Sequence, residues 1–158
     1  MFHGRTGLNL LPATCKRLSK IPNIVAIKEA SGDLSQVAKI ASLCGDDLAI
    51  YSGNDDQILP VLSLGGVGVI SVLANILPTD THNMVHSFLE GNLNQAKELQ
   101  IKALPLINEL FSEVNPIGVK AALNFMGYQV GVPRLPLIEM SVEGKKQLQQ
   151  AMNEYGIL

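Results

Sequence analysis

Three short apolar runs, separated by helical patterns at regular intervals, restrict what this chain can fold into. They are Ile24–Ala30, Leu48–Tyr51 and Val67–Val72. Apolar residues occupy consecutive positions in these runs, which is typical of strands that are covered on both faces. A strand–helix–strand series of this kind predicts an α/β fold with a parallel sheet and crossover helices.

The sequence patterns in the segments between and after these runs predict helices. A helical pattern covers residues 8–19, Asp33 is a good N-cap for a helix over 34–43, and a short helix is expected over 57–64. Beyond Leu77 the pattern is helical only. The expected helices there are Asp80–Glu90, Asn94–Glu113, Pro116–Met126 and Glu143–Tyr155. Since no low-complexity linker divides the chain, we expect one packed unit.

Composition excludes several functional classes. The chain is 47% hydrophobic and 16% charged, which favours a globular protein over a disordered one. Its net charge of −2, without a basic stripe, argues against nucleic-acid binding. The longest apolar stretches, such as Leu59–Leu64, are too short to span a bilayer. Cys15 and Cys44 are widely spaced core thiols and no signal peptide is evident, so we expect a cytoplasmic protein.

The first apolar run contains a cation, Lys28, which Glu29 directly follows. Burying a cation costs several kcal/mol unless it is paired or neutralised. Desolvation lowers the pKa of an amine, and a neutral amine attacks carbonyl carbons, so Lys28 is a candidate nucleophile. The alternative is a lysine at the edge of a strand whose ammonium group reaches water.

Other polar groups are expected near Lys28. In a parallel sheet the loops after the strands gather at one edge, which would bring Arg5, Ser52–Asn54 and Ser71 to the same rim. An amine beside a guanidinium suits a keto acid or an aldehyde acid, since arginine can hold a carboxylate. Glu29 should point to the opposite side of the strand, as a structural or helix-facing partner.

Three further motifs are better explained by structure than by chemistry. Gly65–Gly68 precedes a strand, so it fits a tight turn and close packing better than a dinucleotide fingerprint. His82 and His86 have the spacing of a helical metal pair, but without an HExxH motif a solvated helix face fits better. Asn54–Asp56 could hold a cation, but an N-cap cluster explains it better. We therefore predict no metal site.

Five motifs, in order, resemble the dihydrodipicolinate synthase family along essentially the whole chain. They are GRTG (4–7), IVAIKEASGD (24–33), YSGNDD (51–56), GGVGVISVLAN (65–75) and NPIGVK (115–120). The resemblance implies a class I lyase on a (β/α)8 barrel, usually a homotetramer without a cofactor, that condenses pyruvate with aspartate semialdehyde in lysine biosynthesis. One departure is Gly118, where the family commonly has proline.

The resemblance also implies roles for individual residues. Lys28 is similar to the lysine that forms a Schiff base with pyruvate, and Arg5 is similar to the arginine that receives the semialdehyde carboxylate. Gly53 and Ile70 match positions that line the pyruvate site. The GRTG arginine distinguishes this subgroup from N-acetylneuraminate lyases.

The same comparison implies that the chain is the C-terminal part of such a barrel. Residues 1–77 would supply the last three strands and their helices, and residues 78–158 the last barrel helix and a C-terminal helical region. The family's tyrosines and threonine that relay protons would lie in an absent N-terminal half. We therefore expect little activity from the chain alone, and association with itself or with a complementary N-terminal half through open strand edges. Two alternatives are a non-catalytic fragment and a regulatory partner of full-length subunits.

Overall fold

The three predicted strands are present and form one parallel sheet. The computed structural model describes residues 7–158, so Arg5 lies outside the described residues. Strands β1 (Ala26–Glu29), β2 (Ala49–Ser52) and β3 (Gly68–Val69) pair in the order β1-β2-β3. Both pairings are parallel. The predicted α/β class and parallel topology are therefore confirmed.

Three helices accompany the strands. They are α1 (Pro12–Leu18), α2 (Leu34–Cys44) and α3 (Ile58–Ser63), and a 3-10 turn (Asp55–Gln57) precedes α3. Helix α1 begins later than predicted because Pro12 disfavours a helical conformation at Leu11, whose φ is −66° and ψ 150°. Helix α2 begins where predicted, since the Asp33 carboxylate accepts hydrogen bonds from the amides of Ser35 and Gln36.

The regular elements after β3 are all helical, as predicted. The helices are α4 (Pro78–Leu89), α5 (Leu93–Leu110), α6 (Ile117–Phe125) and α7 (Val142–Tyr155). Helix α7 begins at an N-cap, Ser141, whose hydroxyl accepts a hydrogen bond from the Gly144 amide. No helix within residues 7–158 is both long enough and apolar enough to cross a membrane.

The two faces of the sheet differ in burial. Ile27 and Glu29 of β1 are buried, whereas Ala26 is exposed and Lys28 is half-buried. The buried face packs on α1, α2 and α3 in a hydrophobic cluster that includes Ile27 and Ile50. The expectation that both faces are covered is therefore wrong for the described part of the chain. Consecutive apolar residues there do not mean that every side chain is buried.

A second hydrophobic cluster lies among the helices. Its fully buried members include Leu73, Met84, Leu106 and Leu148. Burying each such side chain contributes roughly 1.5–3 kcal/mol. Helix α3 takes part in both clusters, because Val61 faces the sheet cluster while Ile58 and Leu62 belong to the helical cluster. Helix α3 therefore connects the sheet cluster to the helical cluster.

Candidate functional site

Lys28 lies near the carboxyl end of β1, on the less covered face of the sheet. Its partner in the β-sheet register is Tyr51 on β2, and the partner of Tyr51 on β3 is Gly68. A Cβ atom on Gly68 would lie 3.3 Å from Cδ1 and Cε1 of Tyr51, so the aromatic ring packs over this glycine. Lys28, Tyr51 and Gly68 thus form one row across the sheet.

Gly53 lies against the side chain of Lys28. A Cβ atom built on Gly53 would be 2.8 Å from Cε and 3.1 Å from Cγ of Lys28, and 2.6 Å from Cβ of Ala30. The Gly53 amide donates a 2.7 Å hydrogen bond to the carbonyl oxygen of Glu29, which continues the pairing of β1 with β2. The absence of a side chain at residue 53 therefore leaves the space that the aliphatic chain of Lys28 occupies.

Ile70 follows the last residue of β3 and reaches the same end of the sheet. Its amide donates a 2.8 Å hydrogen bond to the carbonyl oxygen of Ser52, and its side chain is 48% exposed. Ser52 directly precedes Gly53, so Lys28, Gly53 and Ile70 all lie at the carboxyl ends of the strands. In parallel α/β folds this edge is where ligands bind.

Glu29 points away from Lys28, as predicted, and its carboxylate is held on the helix-facing side. It accepts hydrogen bonds from Nε2 of Gln36 on α2 at 2.9 Å and from the amide of Ser31 at 2.6 Å. The Gln36 amide group also exchanges two hydrogen bonds with the side chain of Asn9, at 2.8 and 3.0 Å. Since Asn9 lies four residues after Arg5, this network fixes the segment that follows the predicted arginine loop.

Asp55 has a different role from the predicted one. Its side chain is 1% exposed and caps no part of α3. Instead, Oδ2 accepts 2.9 Å hydrogen bonds from the amides of Val72 and Leu73, beyond β3. Burial raises the pKa of the Asp55 carboxyl, while the hydrogen bonds from these two amides act to lower it. The N-cap interpretation was wrong because sequence gives no sign that a carboxylate will cap a distant segment.

His82 and His86 lie on the exposed side of α4. Their rings stack with centroids 4.0 Å apart and an interplanar angle of 27°. They border a groove of about 330 Å³ that runs along β3, with Tyr51 and Val69 on the sheet side. Within residues 7–158, no three His, Cys, Asp or Glu side chains come close enough together to hold a metal ion.

The glycine cluster before β3 is structural, as predicted. Gly65 has a positive φ of 90°, which turns the chain after α3. A Cβ atom on Gly66 would lie 2.7 Å from both Cγ1 and the carbonyl oxygen of Val61, so this glycine permits close packing against α3.

Known proteins similar to this chain belong to one family of enzymes. The model of the dihydrodipicolinate synthetase family matches residues 1–155. A 4-hydroxy-tetrahydrodipicolinate synthase from Caldicellulosiruptor saccharolyticus is 63% identical over 153 residues, which are 97% of this chain and 52% of that protein. A Clostridium perfringens enzyme of the same name is 54% identical over 154 residues, which are 98% of this chain and 53% of that protein.

Solved structures give the same result. Dihydrodipicolinate synthase from Thermotoga maritima superimposes with a TM-score of 0.95 at 41% identity, over 99% of this chain and 54% of that one. The chloride-inhibited Acinetobacter baumannii enzyme in complex with pyruvate superimposes with a TM-score of 0.93 at 38% identity. The match again covers 99% of this chain and 54% of that one. The chain thus spans about half the length of these relatives. Its three parallel strands and helices are part of a (β/α)8 barrel, and the chain belongs to the dihydrodipicolinate synthetase family.

Proposed function

We propose that this chain carries the Schiff-base lysine of a lyase that condenses pyruvate with aspartate semialdehyde in lysine biosynthesis. The observation that carries the proposal is the packing of Gly53 against Lys28 at the carboxyl ends of the strands. The names of the relatives and the pyruvate complex of the Acinetobacter enzyme support the same reaction. The two buried free cysteines among the described residues fit a reducing cytoplasm.

The proposed chemistry begins at Nζ of Lys28. The neutral amine attacks the keto carbon of pyruvate, and loss of water leaves an imine. Removal of a proton from the methyl group gives an enamine, whose carbon attacks the aldehyde of the second substrate. Gly53 and Ile70 would line the pyruvate site, and Arg5 would receive the carboxylate of the semialdehyde by a bidentate interaction.

We further propose that the 158 residues correspond to the C-terminal part of the relatives. Three strands and an uncovered sheet face around Ala26 and Lys28 support a partial barrel, since a closed barrel interior would cover that face. The C-terminal position is supported by the resemblance of residues 4–7 and 24–33 to motifs that the family carries in its later strands. Proton-relay groups typically contribute factors of about 10²–10⁴ in rate. We therefore expect negligible synthase turnover from these residues alone, and association with a second copy or with a complementary N-terminal half.

A second candidate function is a non-catalytic, self-associating half-barrel. The observation that favours it is the same uncovered face, because an exposed sheet surface and an open strand edge promote association without requiring catalysis. The two candidates differ in whether Lys28 reacts with pyruvate.

Borohydride trapping separates them. The purified chain is incubated with pyruvate and sodium borohydride, and the product is analysed by intact mass and peptide mapping. A single pyruvate-sized mass increase on the peptide that contains Lys28 supports the lyase. Lys28→Ala should abolish the adduct, whereas Lys39→Ala, which removes an exposed lysine of α2, should not. An unmodified chain, or labelling spread over surface lysines, favours the non-catalytic fragment.

Two measurements test the remaining claims. A coupled assay with both substrates should detect negligible product from the chain alone, and turnover close to that of a complete enzyme would contradict the proposed dependence on a second half. Sedimentation should give a dimer or a larger species, and a stable, folded monomer would contradict the proposed association.

A further inference from the structure

A buried glutamine on α5 connects the helical region to the loops at the site. Gln100 is 6% exposed, and its Nε2 donates a 2.9 Å hydrogen bond to the main-chain carbonyl oxygen of Asp55. Its Oε1 accepts a 3.3 Å hydrogen bond from the amide of Leu59 on α3. One side chain of α5 thus holds both the 3-10 turn after β2 and the beginning of α3.

The side chain of Asp55 extends this connection to the next loop. Its Oδ2 accepts hydrogen bonds from the amides of Val72 and Leu73, in the loop after β3. A single carboxylate oxygen therefore binds two consecutive residues of the loop after β3. This loop begins at Ile70, whose own amide is held by the carbonyl oxygen of Ser52.

The two residues proposed to line the pyruvate site both lie close in sequence to the segments that this carboxylate joins. Gly53 is two residues before Asp55 in sequence, and Ile70 is two residues before Val72, the first residue whose amide Asp55 binds. We propose that Asp55, held by Gln100, is a positioning residue that sets the distance between the Gly53 loop and the Ile70 loop at Lys28. The proposal rests on the proposed function of Lys28.

A carboxylate suits this role better than an apolar side chain of similar size. An apolar residue would fill the space without a desolvation cost, but it could not accept hydrogen bonds from the amides of Val72 and Leu73. Leu73 is fully buried, so its amide would then lack a partner. The loop would shift to satisfy these amides, and a displacement of about 1 Å at a reacting centre can reduce a rate roughly a hundredfold.

The test measures borohydride trapping of pyruvate on Lys28 as a function of pyruvate concentration. Asp55→Ala should raise the half-saturating concentration about tenfold, the effect of losing about 1.4 kcal/mol, while the adduct at saturation still forms on Lys28. Asp55→Asn keeps one oxygen that can accept hydrogen bonds from the two amides. Its half-saturating pyruvate concentration should therefore stay within about threefold of the wild-type value. Gln100→Glu keeps the acceptor for Leu59 but loses the donor to Asp55, so it should give an intermediate increase.

Thr81→Val is the matched control. It removes a buried hydrogen bond, from the Thr81 hydroxyl to the Leu77 carbonyl oxygen at 2.8 Å, and leaves the hydrogen bonds of Asp55 and Gln100 to the two loops in place. It should lower the melting temperature and leave the half-saturating pyruvate concentration unchanged. Equal increases in Asp55→Ala and Thr81→Val, or no increase in Asp55→Ala, would overturn the positioning role alone. A wild-type chain that traps no pyruvate on Lys28 would overturn the proposed function and this role with it.

Discussion

The backbone of Gly53 lies so close to the side chain of Lys28 that a Cβ atom at residue 53 would be 2.8 Å from Cε of the lysine. This distance is shorter than van der Waals contact between carbon atoms. A residue larger than glycine would therefore move Lys28, the loop after β2, or both. The contact joins the candidate nucleophile to the candidate substrate loop.

The substitution Gly53→Ala tests the importance of this contact. We expect it to reduce pyruvate trapping on Lys28 at least about tenfold, because the amine is displaced from its position at the end of β1. Gly66→Ala is the matched control, since a Cβ there would lie 2.7 Å from Cγ1 of Val61 and touches no part of the site. Both variants should lose stability, measured by urea denaturation. A Gly53→Ala variant that traps pyruvate as well as Gly66→Ala would contradict the prediction.

The hydrogen bond between Glu29 and Gln36 leads to a prediction about stability. Gln36→Leu removes the donor to Oε2 of Glu29, which is 6% exposed, and leaves that oxygen buried without this partner. We expect the free energy of unfolding to fall by roughly 1–3 kcal/mol. Gln57→Leu, which removes an exposed hydrogen bond to the carbonyl oxygen of Gly32, should cost less than about 1 kcal/mol. If urea denaturation shows that Gln36→Leu and Gln57→Leu lose the same free energy of unfolding, the buried hydrogen bond to Glu29 does not contribute the expected stability.

Tyr155 gives a prediction about high pH. Burial, followed by a 2.6 Å hydrogen bond from its hydroxyl to Asp80, raises the pKa of this tyrosine well above its usual value. In the unfolded chain a tyrosine loses its proton near pH 10, whereas the folded chain retains it, so the free energy of unfolding decreases as the pH rises above about 10. The contribution to the slope is at most about 1.4 kcal/mol per pH unit.

Chemical denaturation at pH 9 to 11 separates this contribution from that of the lysines. Tyr155→Phe should make the decrease in stability above pH 10 shallower than in the wild type. Tyr128→Phe, at a side chain that is 65% exposed, should leave it unchanged. Parallel pH profiles for the wild type and Tyr155→Phe would show that this hydroxyl does not control the high-pH stability.

Gly118 gives a prediction that opposes helix propensity. Alanine is favoured over glycine within a helix by about 1 kcal/mol. However, a Cβ on Gly118, in the first turn of α6, would overlap the carbonyl oxygen of Leu110 at the end of α5. We therefore expect Gly118→Ala to lower the melting temperature, and an increase would show that α5 and α6 can separate without cost.

Much of the fold could be predicted from the sequence because its signals are local. The Asp33 cap of α2 depends on hydrogen bonds within three residues, and the parallel sheet follows from the alternation of strands and helices. The exposure of Ala26 could not be predicted in this way, since apolar strand residues give no indication of whether a covering layer is present. The late start of α1 could have been predicted from Pro12, whose effect on Leu11 is also local.

The features of the candidate site likewise fall into those that local sequence predicts and those that it does not. Lys28 stands out in sequence as a cation within an apolar strand, and the direction of Glu29 follows from the two-residue period of a strand. Asp55 was misread because its hydrogen-bond partners, Val72 and Leu73, are 17 and 18 residues away. Gln100, 45 residues from Asp55, gave no signal at all. Contacts between distant segments depend on tertiary packing, which a local pattern does not encode.

Both cysteines of the chain belong to the hydrophobic cluster beneath the sheet, and neither belongs to the cluster among the later helices. Cys15 and Cys44 are 1% and 4% exposed, and burial, followed by the proximity of Cys44, raises the pKa of the Cys15 thiol. A thiol reagent can therefore label them only when this part of the protein opens. The chain thus contains a natural reporter that measures local opening of the barrel segment separately from unfolding of the whole molecule.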